Sequence, residues 1–232
     1  LAYRSISILK NEIRQLIEEI MATEVLSIHS MTPELRKIRK VVDALHQGAV
    51  ILYPTDTGFT LGCNLSNKDG VNRIRQIRRL DPDKRLTFLC YSLSNISEFA
   101  KVSNSAYRFI KRLIPGPYTF ILPASKLVPK YAVDTKRKTT GIRVPEHTLS
   151  QLLLKELAHP IISISAKTEN HDHYSDPEEI IERYRPLVDI AVSSDDYDFV
   201  GESTVIDMMT DDFSFIREGA GLTLAQEFIN NY

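Results

Sequence analysis

Clusters of polar residues in this 232-residue chain have the types and spacing to do chemistry. The first is Tyr53-Pro54-Thr55-Asp56-Thr57-Gly58-Phe59, directly after the apolar run Ala49-Val50-Ile51-Leu52. Such a run reads as a strand buried on both faces, and in open α/β sheets ligands collect beyond strand ends of that kind. Two hydroxyls and a carboxylate in the turn can hold a small polar ligand; they equally suit an Asx or Ser/Thr turn that stabilises the backbone. The second cluster is basic: Arg73, Arg75, Arg78, Arg79, Lys84 and Arg85. Arginine's planar, permanently charged fork fits phosphate and carboxylate, although a solvated helix face has the same composition. The third is Ser163-Ile164-Ser165-Ala166-Lys167. Strand alternation sets Ser163, Ser165 and Lys167 on one face, an arrangement suited to an anion.

Other candidates carry less. His171-Asp172-His173 has metal-like spacing but no third ligand nearby, so no metal site is expected. Cys63 and Cys90 stand alone in apolar stretches and read as reduced core residues. No P-loop, GxGxxG or local Ser-His-Asp arrangement is present, and no catalytic nucleophile can be named.

The elements that must position these residues alternate between helix and strand. Thr32-Pro33 reads as an N-cap with proline at the first helical position, followed by Leu35, Ile38, Val42 and Leu45 at helical spacing and a stop at Gly48. Phe59 to Leu65 is the next strand. Ser66 and Asp69 have capping-box spacing ahead of a helix through Val71, Ile74 and Ile77. A strand is expected at Leu86 to Cys90, then a helix capped by Ser103 and ended by Pro115-Gly116-Pro117. Strands follow at Tyr118 to Leu122, Gly141 to Val144 and Ile161 to Ser165, with a Leu-rich helix over 148–157. Asp176-Pro177-Glu178-Glu179 opens another helix, and strands are expected at 188–192, 203–208 and 213–217. Several strand pairs lack an intervening helix. One α/β domain with a mixed parallel and antiparallel sheet is the economical reading.

Composition is that of a globular protein, 43% hydrophobic and 25% charged. No apolar run reaches the roughly 18 residues of a membrane span, so no membrane partner and a cytoplasmic location are expected. The net charge of −1 argues against a general nucleic-acid binder. Its distribution is uneven: residues 68–143 hold 17 Lys/Arg against 5 Asp/Glu, and residues 168–232 hold 3 against 16. Such segregation marks one positive surface for an anionic partner, or two halves that attract each other. The Lys136-Arg137-Lys138 run fits the first reading better. Residues 1–27 are expected to be an N-terminal extension, with Met21-Ala22 reading as an ordinary start. The domain is then 28–220, and 221–232 a C-terminal helical tail.

Taken in order, the motifs resemble the YrdC/YciO family. The resemblance rests on the YPTDT turn with Phe59 and Leu61-Gly62, on Pro115-Gly116-Pro117-Tyr118-Thr119-Phe120, and on Arg143-Val144-Pro145. It continues through the Ser163-to-Ala166 strand end, Ser203-Thr204-Val205-Ile206-Asp207 and Arg217-Glu218-Gly219. It implies a twisted YrdC-like sheet with a basic concave face. The best-known members are threonylcarbamoyl-AMP synthases, which join L-threonine, bicarbonate and ATP, with Mg²⁺ accompanying the nucleotide, and release pyrophosphate on the way to modified tRNA. By resemblance, Thr55 and Ser203 would lie at the threonine end. Arg78, Thr119, Arg143, Ser163, Ser165, Lys167 and Arg217 would serve the nucleotide. Family members are also described as binding tRNA or double-stranded RNA, for which Arg79, Lys84, Arg85, Lys136, Arg137 and Lys138 are the candidates; a catalytically degenerate RNA-binding module is the alternative to an enzyme. The chain departs from the synthase pattern. Arg78-Arg79-Leu80 stands where synthases have Lys-x-Arg, Lys167 replaces the asparagine of Ser-x-Asn, and Gly58 and Thr60 replace Val and Gly. Gly58, Phe59 and Leu61-Gly62-Cys63 look more like the YciO branch. Lys167 is expected to favour an anionic group in the cavity, the alternative being a surface pair with Glu169.

Overall fold

The computed structural model describes residues 23–81, 86–134, 136–167 and 176–230. The chain opens with β1 (Glu24–Ile28) and α1 (Leu35–His46), then the hairpin of β2 (Val50–Thr55) and β3 (Gly58–Asn64). Next come α2 (Lys68–Ile77), β4 (Thr87–Leu89), α3 (Leu93–Phe99) and α4 (Asn104–Leu113). After β5 (Tyr118–Pro123), β6 (Thr139–Arg143), α5 (Thr148–Leu157) and β7 (Ile161–Ser165) follow α6 (Pro177–Tyr184) and β8 (Ile190–Ser194). The chain closes through β9 (Thr204–Asp207), β10 (Ser214–Arg217) and α7 (Leu222–Asn230).

All ten strands form one sheet in the order β1-β8-β2-β3-β7-β4-β6-β5-β9-β10. The pairs β1/β8, β8/β2, β4/β6 and β5/β9 are parallel and the others antiparallel, as the missing crossover helices required. β2 and β3 are buried along their whole length, which is why their sequence runs apolar rather than alternating. Alternation along β2 sends Val50 and Leu52 into one core and Ile51 and Tyr53 into the other. The first core receives Val71 and Ile74 of α2, Ile96 of α3, Phe109 and Ile110 of α4, and Ile180 of α6. The second receives Ile38 and Leu45 of α1 with Leu149 and Leu153 of α5. Each such side chain, fully buried, contributes about 1.5–3 kcal/mol.

α1 and α5 cover only part of their face. Further along it, cross-strand partners Gly62, Ser163, Thr87, Gly141, Ile121 and Asp207 form one row across β3, β7, β4, β6, β5 and β9. Most of these side chains are small, and the space above them is where the cavity lies.

Several element boundaries differ from expectation. The sheet begins at Glu24, ahead of the expected domain start at residue 28, because Leu26 and Ile28 of β1 pack inward beside β8. α1 starts at Leu35 with Glu34 at its N-cap, not at Thr32-Pro33. His29 Nδ1 already accepts the N–H groups of Met31 and Thr32 at 3.3 and 3.2 Å, which holds that segment in a turn. α2 is capped by Asn67, whose Oδ1 accepts Gly70 N–H at 3.0 Å; Ser66 bonds instead to Asn64 Oδ1. α3 was not foreseen, since Ser94, Asn95, Ser97 and Glu98 leave little apolar periodicity. Ser103 and Asp176 cap their helices as expected, accepting Ala106 N–H at 3.2 Å and Glu178 N–H at 2.9 Å.

Candidate functional site

The uncovered part of the face holds a cavity of about 590 Å³, within the roughly 300–1,000 Å³ of small-molecule sites. Thr55, Thr57 and Gly58 of the β2–β3 turn form one wall. Thr55 and Gly58 pair across the hairpin, leaving Asp56-Thr57 as a two-residue loop, and Gly58 takes a φ of 122° that an L side chain rarely adopts. Thr55 Oγ1 donates to Gly58 O at 2.8 Å and accepts Thr57 N–H at 3.2 Å. The hydroxyl therefore both braces the turn and faces the cavity.

Arg143, at the end of β6, reaches across the sheet to this turn. Its guanidinium donates to Asp56 Oδ1 and Thr57 Oγ1, with both partners of the ion pair buried. Burial pushes the arginine pKa down and the Asp56 carboxylate opposes that shift. Among the described residues, Asp56 Oδ2 and Arg143 Nε are buried without a hydrogen-bond partner. Beside the pair, His147 caps α5 by accepting Ser150 N–H at 3.3 Å on Nδ1. Burial holds its pKa below the ordinary value; Asp56 pulls it up and Arg143 pushes it down.

The strand end Ser163 to Lys167 forms a second wall, with Ser163, Ser165 and Lys167 all lining the cavity as strand alternation required. Ser163 Oγ lies 2.9 Å from the buried Tyr53 Oη. Arg78 lines the cavity too, but its donors are largely committed. Nε donates to Ser165 O and Nη1 to Lys167 O, both at 3.1 Å, so Arg78 ties the end of α2 to the end of β7. Arg79, expected at an RNA surface, also lines the cavity and sits in the left-handed region at φ 46°.

The third wall comes from β5, β9 and β10. Thr119 Oγ1 lies 2.9 Å from Ser203 Oγ. Arg217 donates from Nε and Nη2 to Ser203 O at 3.0 and 2.8 Å, and from Nη2 to Ser203 Oγ at 2.9 Å. Its Nη1 lies 3.0 Å from Glu202 Oε2, while Lys167 Nζ contacts Glu202 Oε1. Lys167 is thus turned to Glu202; Glu169 lies outside the described residues. Leu80, Leu89, Ile121, Ile164, Val205 and Ile216 supply the apolar lining.

All nine residues assigned by resemblance to threonine or nucleotide line this one cavity. The RNA candidates do not share a location. Lys136, Arg137 and Lys138 form an exposed turn between β5 and β6 away from the cavity lining, with Arg137 Nη2 2.9 Å from Asp207 Oδ2. Lys84 and Arg85 lie outside the described residues, as does His171-Asp172-His173. Cys63 and Cys90 are buried free thiols, and burial pushes the Cys63 pKa up to about 12. Sequence reasoning missed Glu202 and Asp81, both lining the cavity. Glu202 directly precedes Ser203-Thr204, a placement that could have drawn attention to it.

A family model described as telomere recombination, covering Sua5, YciO and YrdC proteins, matches residues 43–219. The chain belongs to this family. Escherichia coli YciO is 39% identical over 197 residues, spanning 84% of this chain and 94% of its own. Its crystal structure superposes with a TM-score of 0.79 over 86% of this chain and 97% of that one, at 37% identity. P. abyssi Sua5 complexed with L-threonine gives a TM-score of 0.78 at 26% identity, covering 85% of this chain and 58% of Sua5. The threonylcarbamoyl-AMP synthase of Vibrio vulnificus is 33% identical over 132 residues, 56% of this chain and 70% of the synthase. The Sua5/YciO/YrdC assignment agrees with the resemblance read from the motifs, and the mixed ten-stranded sheet agrees with the expected fold. No helix among the described residues is long and apolar enough to cross a membrane.

Proposed function

We propose that the cavity binds ATP and L-threonine, and that the protein joins threonine carbamate, formed with bicarbonate, to AMP. The observation that supports this most is the concentration of Arg79, Arg143, Lys167 and Arg217 around hydroxyls of Thr119, Ser163, Ser165 and Ser203 in one cavity. Such a set suits phosphate, and its family relatives include a threonylcarbamoyl-AMP synthase and a Sua5 complexed with L-threonine. The chemistry needs positioning more than a nucleophile. A carbamate oxygen forms a bond to the α-phosphorus, the α–β phosphoanhydride bond breaks, and pyrophosphate leaves with the electron pair. Lys167 and Arg217 would neutralise that leaving group, and Thr55 and Ser203 would orient threonine.

Among the described residues no group of three or more His, Cys, Asp or Glu forms a metal site. Mg²⁺ would accompany the triphosphate, where it would supply charge neutralisation beside the cavity's cations.

The test is incubation of purified protein with ATP, bicarbonate and each amino acid in turn, following pyrophosphate release. Threonine-dependent release supports the reading. ATP binding without release for any amino acid removes the reaction, and absence of ATP binding removes the nucleotide site. The exposed Lys136–Lys138 turn favours a second reading, in which the protein binds tRNA or double-stranded RNA.

A further inference from the structure

Glu202 occupies a particular position in the cavity mouth. Lys167 follows β7 and Arg217 ends β10, and the sheet places β4, β6, β5 and β9 between them. The Glu202 carboxylate spans that gap, one oxygen on Lys167 Nζ and the other 3.0 Å from Arg217 Nη1. The side chains of Lys167, Glu202 and Arg217 are 21%, 32% and 40% exposed, so solvent and ligand both reach the bridge. Arg217 has already committed Nε and Nη2 to Ser203, leaving Nη1 as the nitrogen that faces the carboxylate. An incoming phosphate has the same two-oxygen geometry and must compete with Glu202 for the same two donors.

We propose that Glu202 is a built-in competitor, whose carboxylate holds the place of the ligand's outer phosphate in the empty cavity and returns there when a small anion is expelled. The proposal rests on the reading of this cavity as a phosphate-ligand site. A nucleotide gains contacts elsewhere in the cavity and so displaces the carboxylate. Free pyrophosphate lacks the nucleoside's contacts, so the cost of displacing Glu202 is a larger share of its smaller binding energy. The residue thereby weakens retention of the pyrophosphate that the proposed reaction releases and speeds that product's departure.

Calorimetry with inorganic pyrophosphate and, separately, ATP tests this on the full chain. Glu202→Gln keeps the side chain's shape and removes its charge. It should tighten pyrophosphate binding on the order of tenfold, the scale of one charge interaction at a partly exposed site, and ATP binding by a comparable factor, since both ligands displace the same carboxylate. In a Lys167→Gln background the same substitution should gain less, because one of the two contested donors is gone and only Arg217 Nη1 remains. Glu202→Asp retains the charge and should stay close to the parent. The inference is overturned if Glu202→Gln, folded by circular dichroism, leaves pyrophosphate affinity unchanged or weaker. It is overturned equally if Glu202→Asp gains as much as Glu202→Gln, or if neither parent nor variant binds pyrophosphate. Failure of the parent to bind ATP would instead count against the nucleotide reading, and the pyrophosphate series still reports on Glu202.

Discussion

At the residue scale, Arg217 links the backbone and hydroxyl of Ser203 to Glu202. Arg217→Ala should raise the ATP dissociation constant by the equivalent of about 1.5–3 kcal/mol, the range of a hydrogen bond to a charged group. Calorimetry reads this directly, and unchanged ATP affinity in both Arg217→Ala and Ser165→Ala would remove the assignment. Lysine should not rescue the site, since it cannot reproduce the fork that spans Ser203 and Glu202. His147 makes a separate prediction about pH. Folding holds its pKa below the ordinary value, so the unfolded chain takes up this proton first as pH falls. Stability is therefore lost from about pH 6.5 down to the lower folded pKa, and levels off below it. Protonated Nδ1 can no longer accept Ser150 N–H, so the cap of α5 is lost with it. His147→Asn caps without titrating, and denaturant unfolding at a series of pH values should show a flatter acid limb than the parent.

At the element scale, the C-terminus of α2 sets stability against binding. Arg79 N–H bonds Gln76 O at 3.1 Å and Leu80 N–H bonds Arg75 O at 3.0 Å, the paired bonds of a Schellman turn with Arg79 where glycine is favoured. Arg79→Gly should stabilise the fold by about 1 kcal/mol, read by chemical denaturation, and weaken ATP binding by removing a cation from the cavity. A variant that gains stability with ATP affinity intact would show that Arg79 only terminates the helix. Local signals made much of the site legible. Alternation placed Ser163, Ser165 and Lys167 together, and the turn residues announced themselves after a buried run. The wrong caps at Thr32 and Ser66 had competing partners nearby, in His29 and Asn64, that spacing alone does not rank. The bridge through Glu202 and the clamp from Arg143 to Asp56 could not be read, because each joins strands that only the sheet order brings into range.

At the scale of the whole molecule, the exposed basic turn at residues 136–138 and the charge segregation lead to a prediction about RNA. Binding to tRNA or duplex RNA should weaken steeply with salt and show little sequence preference, since phosphate contacts release counterions and duplex RNA is read by shape. Neutralising Lys136, Arg137 and Lys138 together should flatten the salt slope. A protein that ignores both RNAs near 50 mM salt would sink the idea. The cavity has its own large-scale property: one wall carries Thr55 from early in the chain, and the opposite wall carries Ser203 and Arg217 from near its end. Synthesis proceeds from the N-terminus, so a growing polypeptide exposes the β2–β3 turn and Lys167 long before their counterparts exist. Until translation reaches Arg217, the ribosome holds a half-site with cations on one rim and only β5 of the facing wall. Prematurely terminated products are therefore expected to be blind to ATP even where their earlier elements have folded, and they cannot compete with finished molecules for nucleotide.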